Sequence, residues 1–173
     1  MSTKAGQLHS SGIAVVVGIY IAPRASVTSE SVSEAVVEEG RGIVGDRYHS
    51  GDGTFSKPKP DRHMTLIEAE EIDHFNAEQG FSFGYGDFRR NLVTRGVRLN
   101  DLVGQTFHVG GVTLEGIRTC EPCQHLGQLL TTEVVPHLAN RAGLRARVVV
   151  GGRVAVGDAV GRRTGKPGGG FQR

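Results

Sequence analysis

The sequence predicts a mainly β, α+β fold, and three features carry that prediction. Of its 173 residues, 26 are glycine, and glycine without a collagen-like period indicates many tight turns between short strands. The β-branched run from Ile13 to Ile21 has the character of a strand buried on both faces. Two Gly-Gly pairs stand between apolar segments, which is the pattern of β-hairpins. A chain of this length has room for one domain.

The two Gly-Gly pairs predict two hairpins. A two-residue turn at Gly110-Gly111 places Val109 opposite Val112 and Phe107 opposite Leu114, so all four apolar side chains share one face. The segment from Val148 to Val156 has the same form around Gly151-Gly152, with apolar residues on both faces. We therefore expect the second hairpin to be a central pair of the sheet.

Helices are few in this prediction. Thr65 to Glu68 fits a capping box, and Leu66, Ala69, Ile72 and Phe75 follow at helical spacing. Gly80 is expected to end this helix. A second, shorter helix is predicted within Thr132–Ala142, with Pro136 in its first turn, and Val27–Val44 is predicted to be extended.

The predicted domain spans residues 12–160, between a disordered N-terminus (1–11) and a basic, Gly-rich, flexible tail (161–173). The formal net charge of +2 is too small to favour nucleic acid as a partner. The longest apolar stretch, Ile13–Ala22, is too short to span a bilayer, and no secretory signal is recognisable. Two cysteines three residues apart do not resemble a secreted disulfide framework. We expect a cytoplasmic protein without a membrane or nucleic-acid partner.

Cys120-Glu121-Pro122-Cys123-Gln124-His125 is the segment best suited to chemistry. A cysteine reacts as its thiolate, which a nearby arginine or a helix N-terminus favours. Arg118 lies just upstream, and a helical turn is predicted over Gln124–Leu130. Such a thiolate can bind a metal, carry a persulfide or attack an electrophile.

Other interpretations of the two cysteines stay open at this stage. Both can be half-buried packing residues. A zinc site would need ligands from His125, His49 or His63, since there is no second CxxC. A thioredoxin-like dithiol would need a strand-to-helix junction in a βαβ unit, which the hairpin-rich pattern does not offer.

Three further segments carry arginines that could bind an anion. Gly42–His49 is a Gly-rich bend in which Asp46 either accepts local amide bonds or helps to form an anion site with Arg47. Asp61–Met64 is expected to place Arg62 and His63 before the N-terminus of the first helix, where anions are favoured. In Asp87–Gly96, strand alternation would send Arg89 and Asn91 to one side and Arg90 and Leu92 to the other.

In this order, six segments resemble the MOSC family, named for the C-terminal domain of molybdenum cofactor sulfurases. The segments are GIVGDRYH (42–49), DRHMTLIEAE (61–70), FRRNLVTRGV (88–97), LVGQTFHVGGVTLEG (102–116), CEPCQHL (120–126) and GLRARVVVGGRVAVGD (143–158). They cover most of the chain between residues 40 and 160. The resemblance implies a β-barrel-like fold with a few flanking helices.

The resemblance assigns the chemistry to the cysteine after proline, Cys123. In the family this residue is viewed as a persulfide sulfur carrier or as a thiolate ligand of molybdenum in the molybdenum cofactor (Mo-molybdopterin). Cys120 has no such role and is a resolving thiol or a packing residue. The resemblance also implies that six side chains surround an anionic pterin phosphate: Arg47, His49, Arg62, Arg89, Asn91 and Arg95. We add His63 because it precedes the predicted helix, and Arg118 because it lies just upstream of the cysteines.

The chain differs from the larger relatives in two respects. A domain of 173 residues cannot also hold a pyridoxal-phosphate cysteine desulfurase, so no pyridoxal phosphate is expected on it. We also expect no counterpart of the N-terminal β-barrel domain of the mitochondrial amidoxime-reducing enzymes. Sulfur from a separate cysteine desulfurase, or electrons from a separate donor protein, would have to be supplied, and a molybdoenzyme could be the acceptor. The expected activities are sulfur transfer toward the cofactor, reduction of N-hydroxylated bases, or pterin and phosphate binding without chemistry.

Overall fold

The computed structural model describes residues 12–51 and 59–162. The predictions of a disordered N-terminus (1–11) and a flexible tail (161–173) fall wholly or largely outside these residues. The described strands are β1 (Val15–Ile21), β2 (Glu30–Val32), β3 (Glu34–Glu38), β4 (Gly42–Ile43), β5 (Met64–Glu68), β6 (Leu92–Arg95), β7 (Thr106–Val109), β8 (Val112–Thr119), β9 (Leu144–Val150), β10 (Gly152–Ala155) and β11 (Val160–Arg162).

Four α-helices and three 3₁₀ turns accompany the strands in the described residues. The helices are α1 (Arg47–Ser50), α2 (Ala69–Gln79), α3 (Gln124–Leu129) and α4 (Val134–His137), and the 3₁₀ turns are Pro60–Arg62, Tyr85–Phe88 and Leu99–Leu102. None of these helices has the length and apolar character needed to cross a bilayer. The mainly β, α+β prediction is confirmed.

The strands form two sheets. The larger has eight strands in the order β11-β7-β8-β9-β5-β6-β1-β2, and the smaller has the order β10-β3-β4. Neighbours are antiparallel except β5 and β6, which run parallel. The large sheet curls so that Val16 N of β1 donates to Asp158 O at 2.9 Å, just before β11. Only an isolated bridge joins these strands, so the sheet is not closed into a barrel.

Two apolar cores lie on opposite faces of the curled sheet. The inner core collects side chains from both sheets, among them Leu66 of β5 and Leu92 of β6. The outer core includes the next residues, Ile67 and Val93, packed against Phe75 of α2 and residues of α3 and α4. Because β5 and β6 are buried on both faces, they hold the helix-bearing side of the sheet in a fixed position.

The start of the first helix was predicted wrongly. Met64–Glu68, which includes the proposed capping box, forms strand β5, and α2 begins only at Ala69. Leu66 pairs with Leu92 of β6 and Leu144 of β9. These tertiary pairings satisfy the backbone of residues 64–68 and override the local helical pattern. Arg62 and His63 therefore precede a strand and not a helix, while the predicted end of α2 at Gly80 is confirmed.

The two predicted hairpins have opposite outcomes. In the first, Val109 pairs with Val112 and Phe107 with Leu114, as the alternation required. The second is wrong, because β9 pairs with β5 and β8 while β10 pairs with β3 of the smaller sheet. The chain crosses between the sheets at Gly151, where a Cβ would lie 2.6 Å from the Val37 carbonyl oxygen. Residues 148–156 thus connect the two sheets.

The remaining predictions of local structure agree with the observed elements. The extended interpretation of Val27–Val44 corresponds to β2, β3 and β4. The helical turn predicted after Cys123 is α3, and α4 contains Pro136 within its first turn. Strand β1 begins two residues later than predicted, at Val15.

Candidate functional site

A cavity of about 400 Å³ opens on the helix-bearing side of the large sheet. Its floor includes Thr65 of β5 and Arg145 of β9, which are paired across the two strands. The other sides come from the start of α1, the turn before β6 and the start of α3. The full lining is Arg47, Tyr48, Thr65, Arg89, Arg90, Glu121, Cys123, Gln124, His125, Leu126 and Arg145.

Cys123 presents its thiol at the edge of this cavity. It is exposed and unpaired, and its backbone is extended (φ −111°, ψ 165°) because it is the N-cap residue of α3. Cys120 is also a free thiol but is buried, and its amide donates to Gly143 O at 2.8 Å. The two cysteines of the CxxC segment are therefore not equivalent, and only Cys123 is accessible to a ligand or reagent in this arrangement.

Asp46 fixes the first arginine of the cavity. Its carboxylate is 2% exposed and accepts hydrogen bonds from the amides of Ala22 (3.0 Å) and Tyr48 (3.3 Å). Asp46 thereby caps α1, and one of its oxygens lies 3.7 Å from Arg47 Nη1. The Arg47 guanidinium also stacks 4.6 Å from the centre of the Tyr48 ring. Asp46 thus accepts local amide hydrogen bonds, the first of the two alternatives given for it, while Arg47 faces the cavity.

Two consecutive arginines reach the cavity from the turn before β6. Arg89 has a left-handed backbone (φ 59°) and donates from Nη1 to Val27 O at 2.6 Å. Arg90 is buried and donates from Nε to Ala142 O at 3.0 Å and from Nη1 to Phe88 O at 3.3 Å. The prediction that alternation would separate these two side chains is wrong, because the strand begins only at Leu92 and the left-handed residue breaks the alternation.

Arg145 was not singled out from the sequence. It lies on β9, where Leu144, Ala146 and Val148 point into the inner core and Arg145 points to the opposite face. Its Nη1 donates to the backbone oxygen of Asp61 at 3.4 Å, and its Nε is buried without a hydrogen-bond partner. Alternation along Leu144–Val150 was the available signal, but the predicted hairpin began only at Val148 and left Arg145 out.

The cavity arginines differ from surface arginines in their partners. Six arginines elsewhere each have a carboxylate within 4.0 Å: Arg41, Arg95, Arg118, Arg141, Arg147 and Arg153. In the described structure, Arg89, Arg90 and Arg145 have only carbonyl acceptors. Burial, followed by the neighbouring Arg47 charge, lowers the pKa of Arg89. These three guanidiniums therefore bring positive charge to the cavity lining beside Cys123 without a described carboxylate within 4.0 Å of them.

Two other polar groups of the lining are not engaged by described residues. His125 follows Cys123 by two positions on α3, and neither its ring nor the Tyr48 hydroxyl has a hydrogen-bond partner there. Glu121, the carboxylate of the lining, accepts from the amide of Asn140 at 2.9 Å. The cavity thus offers a thiol, an imidazole and a phenol to a ligand held by the arginines.

The other sequence-predicted ligand residues lie outside the lining. His49 pairs with Glu38 at 2.7 Å, Arg95 with Asp73 at 2.9 Å, and Arg118 with Asp61 at 2.9 Å. His63 accepts a hydrogen bond from the Val148 amide through Nδ1 at 3.2 Å. Burial, then the charge of Arg147, lowers the pKa of His63. Arg62 ends the 3₁₀ turn before β5 and also does not line the cavity.

Asn91 has a structural role next to the cavity. It is 3% exposed, and its Oδ1 accepts hydrogen bonds from the Thr65 amide and hydroxyl, both at 3.1 Å. Its Nδ2 donates to Tyr20 O at 3.3 Å. Asn91 therefore fixes Thr65 and the turn that carries Arg89 and Arg90 without lining the cavity itself. Within residues 12–51 and 59–162, no three His, Cys, Asp or Glu side chains are grouped so that they could hold a metal ion.

The MOSC domain family model matches residues 45–161, which contain every residue of the cavity lining. No curated protein matches the sequence at a significant level.

Solved structures with the same fold include three bacterial proteins. The YUAD protein from Bacillus subtilis superposes with a TM-score of 0.73 at 19% identity, covering 86% of this chain and 94% of that one. YiiM from Geobacillus stearothermophilus gives a TM-score of 0.65 at 15% identity, with coverages of 86% and 74%. YiiM from Escherichia coli gives 0.63 at 17%, with coverages of 85% and 68%. Since the family model spans well over half of the chain, the protein belongs to the MOSC domain family.

Proposed function

We propose that this protein binds the molybdenum cofactor in the arginine-lined cavity and carries sulfur to it as a persulfide on Cys123. The observation that supports this proposal is the pairing of an exposed thiol with three guanidiniums that have no described carboxylate within 4.0 Å. An anionic ligand would neutralise these groups in a partly buried site, where charge-assisted hydrogen bonds are strongest.

The side chains of the cavity fit a phosphate-bearing pterin. Arginine suits bidentate binding of phosphate oxygens, and Arg89, Arg90 and Arg145 would provide that charge. The open Tyr48 hydroxyl and Gln124 amide offer hydrogen bonds to a polar heterocycle. A volume of about 400 Å³ falls in the range of small-molecule sites. When bound, the cofactor would supply the molybdenum centre that accepts the sulfur. Release of the persulfide's outer sulfur as sulfide would take two electrons, from two thiols of a separate reductant that become a disulfide, and would return Cys123 to a thiol.

Cys123 would load sulfur by thiol–persulfide exchange. Its thiol gives up the proton, and the resulting thiolate attacks the outer sulfur of a donor persulfide, R–S–SH. A new S–S bond forms on Cys123, the donor's S–S bond breaks, and the donor leaves as a thiolate that takes up the released proton. The products are the Cys123 persulfide and R–SH, so the exchange needs no external oxidant or reductant.

The persulfide donor would be a separate protein, with a cysteine desulfurase as the chemically suitable class. It must reach Cys123 from outside, and the thiol lies at the exposed N-cap of α3. Cys120 would take no part in this loading step because it is buried.

The test is sulfur loading measured by mass spectrometry. Purified protein is incubated with a cysteine desulfurase and cysteine, and its peptides are mapped without reductant. We expect an adduct of about 32 Da, one sulfur atom, on the peptide that contains Cys123. The Cys123→Ser variant should carry no adduct, and Cys120 in the same digest is the internal control.

Molybdenum content distinguishes sulfur transfer from the alternatives. Protein co-expressed in a host that makes molybdenum cofactor should retain molybdenum in Cys123→Ser if the arginines hold the cofactor. Loss of molybdenum in that variant, without any sulfur adduct in the wild type, would favour the thiolate-ligand and oxidoreductase reading. Absence of both molybdenum and adduct in the wild type would contradict the proposal.

A further inference from the structure

Asp61 lies between an arginine of the cavity and an arginine outside it. Its Oδ2 accepts from Arg118 Nη2 at 2.9 Å and from Arg118 Nε at 3.0 Å. Its backbone oxygen accepts from Arg145 Nη1 at 3.4 Å. Arg118 and Arg145 are themselves partners across β8 and β9. Asp61 thus lies next to both guanidiniums, but its carboxylate is ion-paired with Arg118 and not with Arg145.

Each of these two residues also has one polar side-chain atom without a hydrogen bond. Asp61 Oδ1 and Arg145 Nε are both buried and both unpartnered. Burial opposes ionisation of Asp61, but the charges of Arg118, Arg145 and Arg62 outweigh it and hold the pKa of this carboxyl below its ordinary value. Asp61 is therefore an anion close enough to compete for Arg145 with a ligand in the cavity.

We propose that Arg118 is a positioning residue that holds the Asp61 carboxylate away from Arg145 and so keeps Arg145 available for the anionic ligand. This inference rests on the proposed function, because it assumes that the cavity binds an anion. Arg118 itself does not line the cavity. Its contribution to anion binding would be indirect and would depend on the charge of Asp61.

Charge-selective alkylation of Cys123 measures the availability of Arg145 without any cofactor. Iodoacetate and iodoacetamide share a leaving group and a reactive carbon but differ by one negative charge. Both rate constants are proportional to the fraction of Cys123 present as thiolate, so this fraction cancels when the iodoacetate rate constant is divided by that of iodoacetamide. The ratio then reports the positive charge that the cavity presents to the reagent. In the wild type we expect this ratio to exceed that of a small free thiol such as N-acetylcysteine.

The decisive experiment is a double-mutant cycle on this ratio. Arg118→Ala should lower the ratio about three- to fivefold, the range of a partly exposed ion pair, because Asp61 then turns to Arg145. In the Asp61→Asn background the same Arg118→Ala change should have almost no effect. Arg147→Ala is the matched control, because Arg147 lies two residues from Arg145, is 45% exposed against 55% for Arg118, and pairs with Glu115.

Three results would overturn the inference. The first is an equal loss on Arg118→Ala in both Asp61 backgrounds, which would mean simple loss of a positive charge. The second is an Arg147→Ala loss as large as that of Arg118→Ala. The third is a wild-type ratio no higher than that of N-acetylcysteine, which would contradict anion binding as well. Sulfur loading that fails while the cycle behaves as expected would count against persulfide chemistry but support the role of Arg118.

Discussion

At the scale of single residues, the site depends on an arginine held in an unfavourable backbone conformation. Arg89 has φ 59°, a region that costs a non-glycine residue about 1 kcal/mol or more. Its hydrogen bond to Val27 O and its packing in the turn after Phe88 hold it there. Strain of this kind concentrates at functional positions, and here it lets two consecutive arginines face one cavity.

The strain at Arg89 can be measured by comparing two substitutions. Both Arg89→Ala and Arg89→Gly remove the guanidinium, but only glycine adopts the left-handed region without cost. We expect Arg89→Gly to be more stable than Arg89→Ala by about 1 kcal/mol in urea unfolding. At Arg90, whose φ is negative, the order should reverse. Equal stabilities of the two Arg89 variants would show that the backbone is not strained.

The second prediction at this scale concerns His63 and pH. Burial and Arg147 lower the pKa of His63 below its ordinary value of 6.5, so the unfolded chain binds a proton at a higher pH than the folded chain does. Stability should therefore fall as the pH drops through this window from about 7 to 5. His63→Asn keeps an acceptor for the Val148 amide but cannot be protonated.

The His63→Asn variant should lose less stability than the wild type over that pH range. Because His63 is only partly buried, we expect the difference to be under about 1 kcal/mol. The measurement is the urea midpoint of both proteins at several pH values. The difference between the two proteins removes the pH dependence that comes from the carboxylates they share. Parallel pH profiles would contradict a proton-linked role for His63.

At the scale of elements, local patterns were correct where pairing is local and failed where it is not. The Gly110-Gly111 hairpin follows from its own eight residues, since each strand finds its partner across a two-residue turn. The segment around Gly151 has the same pattern, yet β10 pairs with β3, more than a hundred residues earlier in the chain. Likewise, Thr65–Glu68 fits a capping box but forms part of β5 because it pairs with β6 and β9.

The connection at Gly151 gives a test of the two-sheet arrangement. A Cβ at Gly151 would meet Val37 O at 2.6 Å and Glu39 N at 3.0 Å. We expect Gly151→Ala to destabilise the fold by about 1–3 kcal/mol, as overpacking against backbone does. Gly161→Ala is the control, because nothing lies within 4 Å of a Cβ there. An equally small effect at both positions would favour an exposed hairpin turn.

The candidate site was predicted only in part, because local sequence patterns identify some of its residues and long-range strand pairing positions the others. Cys123, Arg47 and Arg89 belong to short, distinctive segments, and the structure places all three in the lining. Arg90 and Arg145 were missed because their orientation depends on the left-handed residue at Arg89 and on the pairing of β9 with β5. His49 and Arg95 were taken from the family resemblance and Arg118 from its position beside the cysteines, and their carboxylate partners could be found only in three dimensions.

At the scale of the whole molecule, the curled sheet separates two kinds of surface. Six arginines outside the cavity each have a carboxylate nearby, whereas Arg89, Arg90 and Arg145 of the cavity are held by backbone carbonyls. The fold thereby keeps positive charge beside one exposed thiol. This arrangement is useful to a protein that binds an anion next to a reactive sulfur.

Protection of Cys123 by an oxyanion tests this account most directly. The rate of Cys123 alkylation by neutral iodoacetamide is followed by peptide mapping while inorganic phosphate is added, with sodium chloride at matched ionic strength as the control. We expect phosphate to slow alkylation in a saturable way that Arg145→Ala weakens, since a bound anion would cover the thiol. If phosphate and chloride have the same effect on Cys123, the cavity does not hold an anion beside its sulfur.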